Sequence, residues 1–318
     1  MHSAKRLVDM PTHARRHQGA GAGVGMFASR FPSSQLSKNA SFPTVEKRLV
    51  LHYTSARSVL TGRRTRTSRR RSLAPENPRH KIVRVPIGMA YGERKITDGI
   101  TDLDAIVAQT KSALAALEAE SPDRIITLGG ECSVSVAPFT WLAKKHAGDV
   151  AVLWIDAHPD ITLPGDAYGG YHAMAVTSIM GKIAPTKTIL PAAIPPERIL
   201  FVGLRDWERR QIVDRQKEYG IRHVGVAEMR ESPKRALDWI TSTGAKHVLI
   251  HFDLDVLDPA EIVPAVGVVK DGMKMAEVVR LVNDVSAAHD VAALTVAEPL
   301  PRTAINIRNM LHGINLFK

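Results

Sequence analysis

Cysteine is nearly absent. The 318 residues contain one, Cys132, which excludes an internal disulfide framework and any cysteine-rich zinc module. A lone thiol fits a reducing, cytoplasmic setting. Long apolar runs are missing too: none approaches the ~20 residues that span a bilayer, so no membrane-spanning helix is expected. No internal repeat is visible. Acids are scarce in the N-terminal quarter, where residues 1–80 hold 16 of the 43 Lys and Arg but only Asp9, Glu46 and Glu76 of the 32 acids. That quarter carries a net +13 and the remainder a net −2, so a nucleic-acid partner would rest on the first 80 residues alone, and none is expected for the body.

Residues 1–80 also lack periodicity. They are rich in Arg, Ser, Thr and Gly, with a basic run at Arg63–Arg71, and such a composition cannot bury enough apolar surface to fold by itself. We read them as a basic, disordered extension. A targeting peptide, an anionic-surface tether or an upstream extension of the reading frame would look the same. Leu49–Tyr53 (LVLHY) is the one strand-like run here and carries little weight.

What is present begins at Lys81. Apolar runs such as KIVRVP, RIITL (Arg124–Leu128), Arg198–Val202 and Ala293–Ala297 read as strands. Between them lie helical stretches at Thr101–Glu120, with Thr101 and Asp104 resembling a capping pair, then about Ser133–His146, Arg205–Tyr219, a helix opened by Ser232-Pro233, and Lys274–His289. Strands alternating with helices predict an α/β fold of three layers, αβα, around a mostly parallel sheet. The expected domain is 81–318.

Two strands end in ligand-type residues. Ala151–Ile155 runs into Asp156, His158 and Asp160, and Val248–Phe252 runs into Asp253 and Asp255. Side chains two apart on an extended chain share a face, and the carboxyl ends of parallel strands are where open α/β sheets bind ligands. Carboxylates and imidazoles clustered without Lys or Arg repel one another unless a cation joins them. Oxygen ligands mixed with imidazole suit Mn(II), Zn(II), Fe(II) or Ni(II) better than Ca(II). Gly129-Gly130-Glu131-Cys132-Ser133 follows another strand; its spacing fits neither common phosphate-loop pattern. Cys132 reads as a small buried hydrophobe or as a ligand. His172 lies after the next loop, and Glu298 ends the last strand. His146, His223 and His289 read as structural or surface residues.

Taken in order, GGECS, WIDAHPD, HFDLDVLDP and VAEPLP resemble the ureohydrolase (arginase/agmatinase) motifs G-G-x-H-S, D-A-H-x-D, S-x-D-x-D-x-x-D-P and V-E-x-N-P, and FVGLRD resembles the strand and turn between the second and third. The resemblance covers roughly Lys81 to the C-terminus. It implies a two-metal site, usually manganese, with Asp156 and Asp253 bridging, His158 and Asp255 completing one position, and Asp160 with Cys132 the other. His172 would relay protons and Glu298 would pair with a guanidinium. A hydroxide shared by the ions would attack the guanidinium carbon and release urea and an amine. Homo-oligomers, trimers or hexamers, follow by analogy.

Three departures qualify these expectations. Cys132 replaces the pattern's histidine, which opens zinc, iron or nickel as alternatives. The loop Leu163–Tyr171 (LPGDAYGGY) lacks the Asn/Ser pattern with which arginases hold the amino-acid end of arginine. The family's first strand is not evident. Agmatine-like, arginine-like and formimino-amino-acid substrates therefore stay open, as does a non-catalytic homologue that acts by binding or assembly.

Overall fold

The computed structural model describes residues 46–53, 80–85 and 93–317, all within one compact unit, Val45–Lys318. In chain order it contains β1 (Arg48–His52), β2 (His80–Arg84), the short pair β3 (Ile96–Thr97) and β4 (Ile100–Thr101), α1 (Leu103–Glu120), β5 (Arg124–Leu128), α2 (Val136–Lys145) and β6 (Val150–Ile155). There follow α3 (Ala175–Ile179), α4 (Ala184–Lys187), β7 (Ile199–Val202), α5 (Arg210–Tyr219), β8 (Arg222–Val224), α6 (Val226–Glu231) and α7 (Lys234–Thr243). The last elements are β9 (His247–Asp253), α8 (Met275–Ala288), β10 (Asp290–Ala297) and α9 (Ala304–His312).

Eight strands form one sheet in the order β2-β1-β5-β10-β9-β6-β7-β8, and every neighbouring pair is parallel. Alternate residues of the apolar strands feed two cores. On one face Val152, Trp154 and Phe201 pack against Leu117 of α1, Phe139 of α2, Val176 of α3 and Ile212 of α5. On the other, Leu153, Ile155 and Phe252 meet Trp239 of α7, Leu281 of α8 and Ile307 of α9. The three-layer expectation holds. Burial on both faces is why these strands read as continuous apolar runs rather than alternating ones.

Three local expectations change. Thr101 is not a helix cap: it pairs with Ile96 in the β3–β4 hairpin, and α1 starts after Asp102, which makes no side-chain capping bond. The helix expected from Arg205 begins at Arg210, because Arg205 is committed to a loop contact described below. The strand that was missing is present. Arg48–His52 lies between β2 and β5, with Leu49, Val50 and Leu51 buried.

The expected boundary at residue 81 therefore excludes β1 and cuts β2, which starts at His80. The remainder of 1–80 lies outside the described residues. Burying each of the three apolar side chains of β1 contributes about 1.5–3 kcal/mol, and total stability is typically only about 5–15 kcal/mol. A chain starting at residue 81 should therefore lose cooperative unfolding in a thermal scan. A soluble 81–318 with the full-length Tm would show β1 to be dispensable.

Candidate metal centre

Strand register brings the ligand-type residues together. Trp154 and Ile155 of β6 pair with His251 and Phe252 of β9, and Ala297 of β10 pairs with Asp253. Asp156 and Asp253 thus emerge side by side at the carboxyl ends of adjacent strands. Cys132 arrives from β5, through the Gly129-Gly130 turn, at the start of a 3-10 turn over Cys132–Ser135. Gly129 has φ +82°, and a Cβ there would lie 2.7 Å from the Tyr53 carbonyl oxygen, so only glycine fits. A phosphate reading of this turn fails locally, because the Glu131 carboxylate already accepts from the Ser133 N–H at 3.2 Å.

Two groups of ligand atoms form, each with all members within 4.8 Å of one another: Cys132, Asp156, His251 and Asp253 in one, Asp156, His158 and Asp255 in the other. Asp156 is common to both. Asp253, expected to bridge, belongs only to the first. The Cys132 thiol donates to Asp253 Oδ2 at 2.9 Å, and His158 Nδ1 is 2.9 Å from Asp255 Oδ2. Main-chain N–H groups of His158 and Asp255 reach back to Asp156 Oδ1 and Asp253 Oδ1, both at 2.7 Å, and Trp154 Nε1 donates to Asp156 Oδ2 at 3.0 Å. These bonds orient the carboxylates from behind.

Asp160 lies outside both groups. It lines the same cleft, is buried with φ +50°, a conformation Asp tolerates better than most residues, and its Oδ2 has no hydrogen-bond partner among the described residues. The cleft, of about 230 Å³, also has His172 and Glu298 in its wall. His172 Nε2 is 3.1 Å from the Tyr168 hydroxyl. Glu298 has φ +59°, and its N–H donates to the Gly130 carbonyl at 2.9 Å, tying the ends of β5 and β10 together.

Burial without counter-charge shows in the titrations. Burial and the Asp255 carboxylate push Asp156 up to about 7. Burial together with neighbouring carboxylates raises Asp160, Asp253 and the Cys132 thiol well above their usual ranges. Burial would lower His158, but Asp156 and Asp255 override it and raise the imidazole to about 12. In the metal-free protein a proton on His158 thus takes a cation's place. Burial holds His251 down to about 3, so that ring stays neutral.

One cation does stand near, contrary to the sequence-based expectation. The Arg205 guanidinium feels the Asp255 and Asp156 charges, yet it donates to main-chain carbonyls, those of Gly203, Asp255, Val269 and Lys270, at 2.8–3.1 Å. It clamps the 266–270 loop over the centre rather than neutralising it. Gly267 allows that approach, since a Cβ there would come within 2.7 Å of Asp255 Oδ2.

The site residues anticipated from sequence therefore share one cleft or the floor beneath it. His251 and Arg205 were missed. The first had a legible signal, a polar ring in an otherwise apolar strand, two residues before Asp253. The donors present fit divalent cations: thiol, imidazole and carboxylate atoms lie close enough to share an ion, and two buried polar atoms, His251 Nε2 and Asp160 Oδ2, have no partner among the described residues.

Acidic, imidazole and thiol groups gathered at the carboxyl ends of a fully parallel sheet define a metal-binding protein of the α/β class. More particularly, the chain belongs to the arginase family, which it matches over residues 64–314. It is 30% identical to the arginase of Eremothecium gossypii over 190 residues, 56% of this chain and 47% of that protein. The chain thus aligns with about half the length of that relative. Its fold resembles the arginase of Bacillus caldovelox, with a TM-score of 0.69 at 18% identity, covering 84% of this chain and 97% of that one. It also resembles the formimidoylglutamase of Bacillus subtilis, with a TM-score of 0.61 at 15% identity, covering 85% and 86%.

Proposed function

We propose that the chain is a hydrolase with two divalent cations that cleaves a C–N bond of a small guanidino or amidino compound, releasing urea when the substrate is a guanidine. The observation that carries this reading is the convergence of Cys132, Asp156, His158, Asp253 and Asp255 beneath a cleft walled by His172 and Glu298. When bound, the cations would acidify a water and stabilise charge developing on the substrate.

The chain's own residues would do the rest. By the family pattern His158 and Asp255 would hold one cation and Cys132 with Asp160 the other, Asp156 and Asp253 serving both; of these, Asp160 lies outside the two groups of ligand atoms and Asp253 outside the second. The Glu298 carboxylate would pair with the guanidinium and fix its carbon over the centre. His172, held by Tyr168, would carry a proton to the departing amine. Manganese is the metal the family suggests, with zinc, iron or nickel admitted by Cys132. A reducing compartment keeps that thiol available, and homo-oligomer formation remains an expectation by analogy.

A specific observation favours a substrate other than arginine. Asp166, the one acid in loop 163–171, is engaged by Arg215 at 2.6 and 3.0 Å and by the Leu163 N–H at 2.8 Å, leaving that carboxylate committed rather than open to an α-amino group. A formimino-amino acid, whose α-nitrogen carries the amidine and offers no free ammonium, fits this arrangement better; agmatine keeps an amine and is not distinguished from arginine by it.

The test is metal analysis of the full chain with added Mn(II), then a panel of arginine, agmatine and formiminoglutamate scored for urea and amine release. About two ions per chain and turnover of one panel member are expected. Glu298→Ala should keep both ions and lose about 10²–10³-fold in turnover, the cost of removing one preorganised contact to the reacting group. Two bound ions without turnover of any member would leave the non-catalytic reading in its place.

A further inference from the structure

His251 lies within β9 with its side chain fully buried, where a buried imidazole normally has both nitrogens satisfied. Only one is. Nδ1 is 2.8 Å from the Ser135 hydroxyl, whereas Nε2 has no hydrogen-bond partner among the described residues and stands 3.8 Å from Asp156 Oδ2, too far for a hydrogen bond. The ring is locked in that direction. It stacks on Trp154 with centroids 3.6 Å apart and planes 9° from parallel. Its free nitrogen faces the atoms of Cys132, Asp156 and Asp253 and completes a group of four, all within 4.8 Å of one another.

This chain departs from the family pattern at two positions of that one group: Cys132 where the pattern has histidine, and His251 where S-x-D-x-D has serine. Each departure alone is a loss or an oddity. Together they exchange one imidazole for another, entering from the floor of the sheet instead of from the turn after β5, and add a thiolate.

We propose that His251 Nε2 is a metal ligand, and that Cys132, His251, Asp156 and Asp253 form a buried position selective for zinc over manganese. The inference rests on the metal-centre reading above and gives its two positions different characters. Thiolate and imidazole favour zinc, whereas carboxylate-rich sets favour manganese. Thiol, imidazole and carboxylate donors around a small cation are the usual zinc environment, with bonds of about 2.0–2.3 Å. The Ser135 hydroxyl oxygen would accept a hydrogen bond from Nδ1–H and so leave Nε2 its lone pair, the kind of partner that sets the tautomer of a ligating histidine. The second position, with Asp156, His158 and Asp255, has no sulfur and would accept manganese.

The test uses the full chain stripped of metal and titrated with Co(II), which reports thiolate ligation by a sulfur-to-metal charge-transfer band. The wild-type protein should show the band at one equivalent, and Cys132→Ser should abolish it. His251→Ser should retain the band but need at least about 100-fold more Co(II), since even outer-shell partners of metal ligands are worth about 10–100-fold in affinity. Should His251→Ser fail to fold, X-ray absorption of the wild-type chain with one equivalent of Zn(II) decides the matter, with one sulfur and one imidazole expected on the same ion. A sulfur-bearing ion without imidazole, or unchanged affinity in folded His251→Ser, overturns the proposal while leaving metal-dependent hydrolysis intact. Imidazole and sulfur on one ion with no turnover of any guanidino or formimino compound supports this proposal and overturns the hydrolase reading. No bound ion at all overturns both.

Discussion

On the proposed function, Asp253→Ala is expected to abolish bound metal at the Cys132 position and turnover of the panel substrate together, while leaving the metal-free fold almost as stable as before. Asp253 is buried among carboxylates and accepts from the Cys132 thiol and the Asp255 N–H. Without a cation, burial and repulsion from Asp255 and Asp156 penalise its carboxylate and raise it well above its usual range. Alanine relieves that repulsion but leaves a thiol and an N–H without their acceptor, a cost of about 1–3 kcal/mol. The two effects oppose, so the metal-free Tm should move by only a few degrees. Activity has no such offset. A cation polarising the reacting group supplies several kcal/mol, and each ~1.4 kcal/mol is tenfold in rate, so turnover should fall by at least about 10³-fold. Elemental analysis, Tm with and without added metal, and the product assay for the substrate found in the panel check the three parts. Full activity in a folded Asp253→Ala chain would remove this centre from the reaction.

The ligands of that centre were legible because an apolar strand followed by acids two apart is a local pattern, and its chemistry needs no knowledge of the neighbouring strands. Asp156, His158, Asp253 and Asp255 are of this kind. The pairing that unites them is not local: β9 and β10 return from the end of the chain to lie between β5 and β6, and nothing within any one strand announces its neighbours. β1 was discounted for the same reason. Five residues flanked by an arginine-rich stretch look unable to fold alone, and they do not, since β2 and β5 supply their hydrogen bonds. Arg205 illustrates a different failure. Its segment has helical character, but four carbonyls, two after strand ends and two in the 266–270 loop, bind its guanidinium, and the helix starts five residues later. His251 was within reach. Counting back two from Asp253 places it on the ligand face, but the surrounding valine, leucine, isoleucine and phenylalanine made it read as core.

Removing the metals should invert the pH dependence of stability between about pH 6.5 and 8. Without metal, the folded chain holds protons that the unfolded chain has released. Asp156 is held up to about 7 against an ordinary 3.8, and His158 up to about 12 against 6.5. A group raised on folding contributes stability that is complete below its unfolded value and is lost as pH climbs through its folded value. Asp156 therefore loses its contribution as pH rises from about 4 through 7, and His158 begins to lose its own above 6.5. His251 acts in the opposite sense, held down to about 3, but its contribution is complete once the unfolded imidazole is neutral above about 6.5. Asp255, lowered by His158 despite its burial, contributes fully throughout this window. His52, His80, His146 and His223 are lowered too and act in the same sense as His251, their contribution complete once the unfolded imidazoles are neutral. The slope left above that point is set by the raised groups and is negative. Each proton held in excess costs about 1.4 kcal/mol per pH unit, and at about 2–4 °C per kcal/mol the Tm of the chelated protein should fall by roughly 3–5 °C per unit. With metal present the sign reverses, because bound cations replace those same protons and bind more tightly as pH rises. Thermal scans in chelator and in excess Mn(II) should diverge with rising pH. Parallel curves would mean that the protons on Asp156 and His158 and the cations do not compete for the same atoms, and the centre would then have to lie elsewhere.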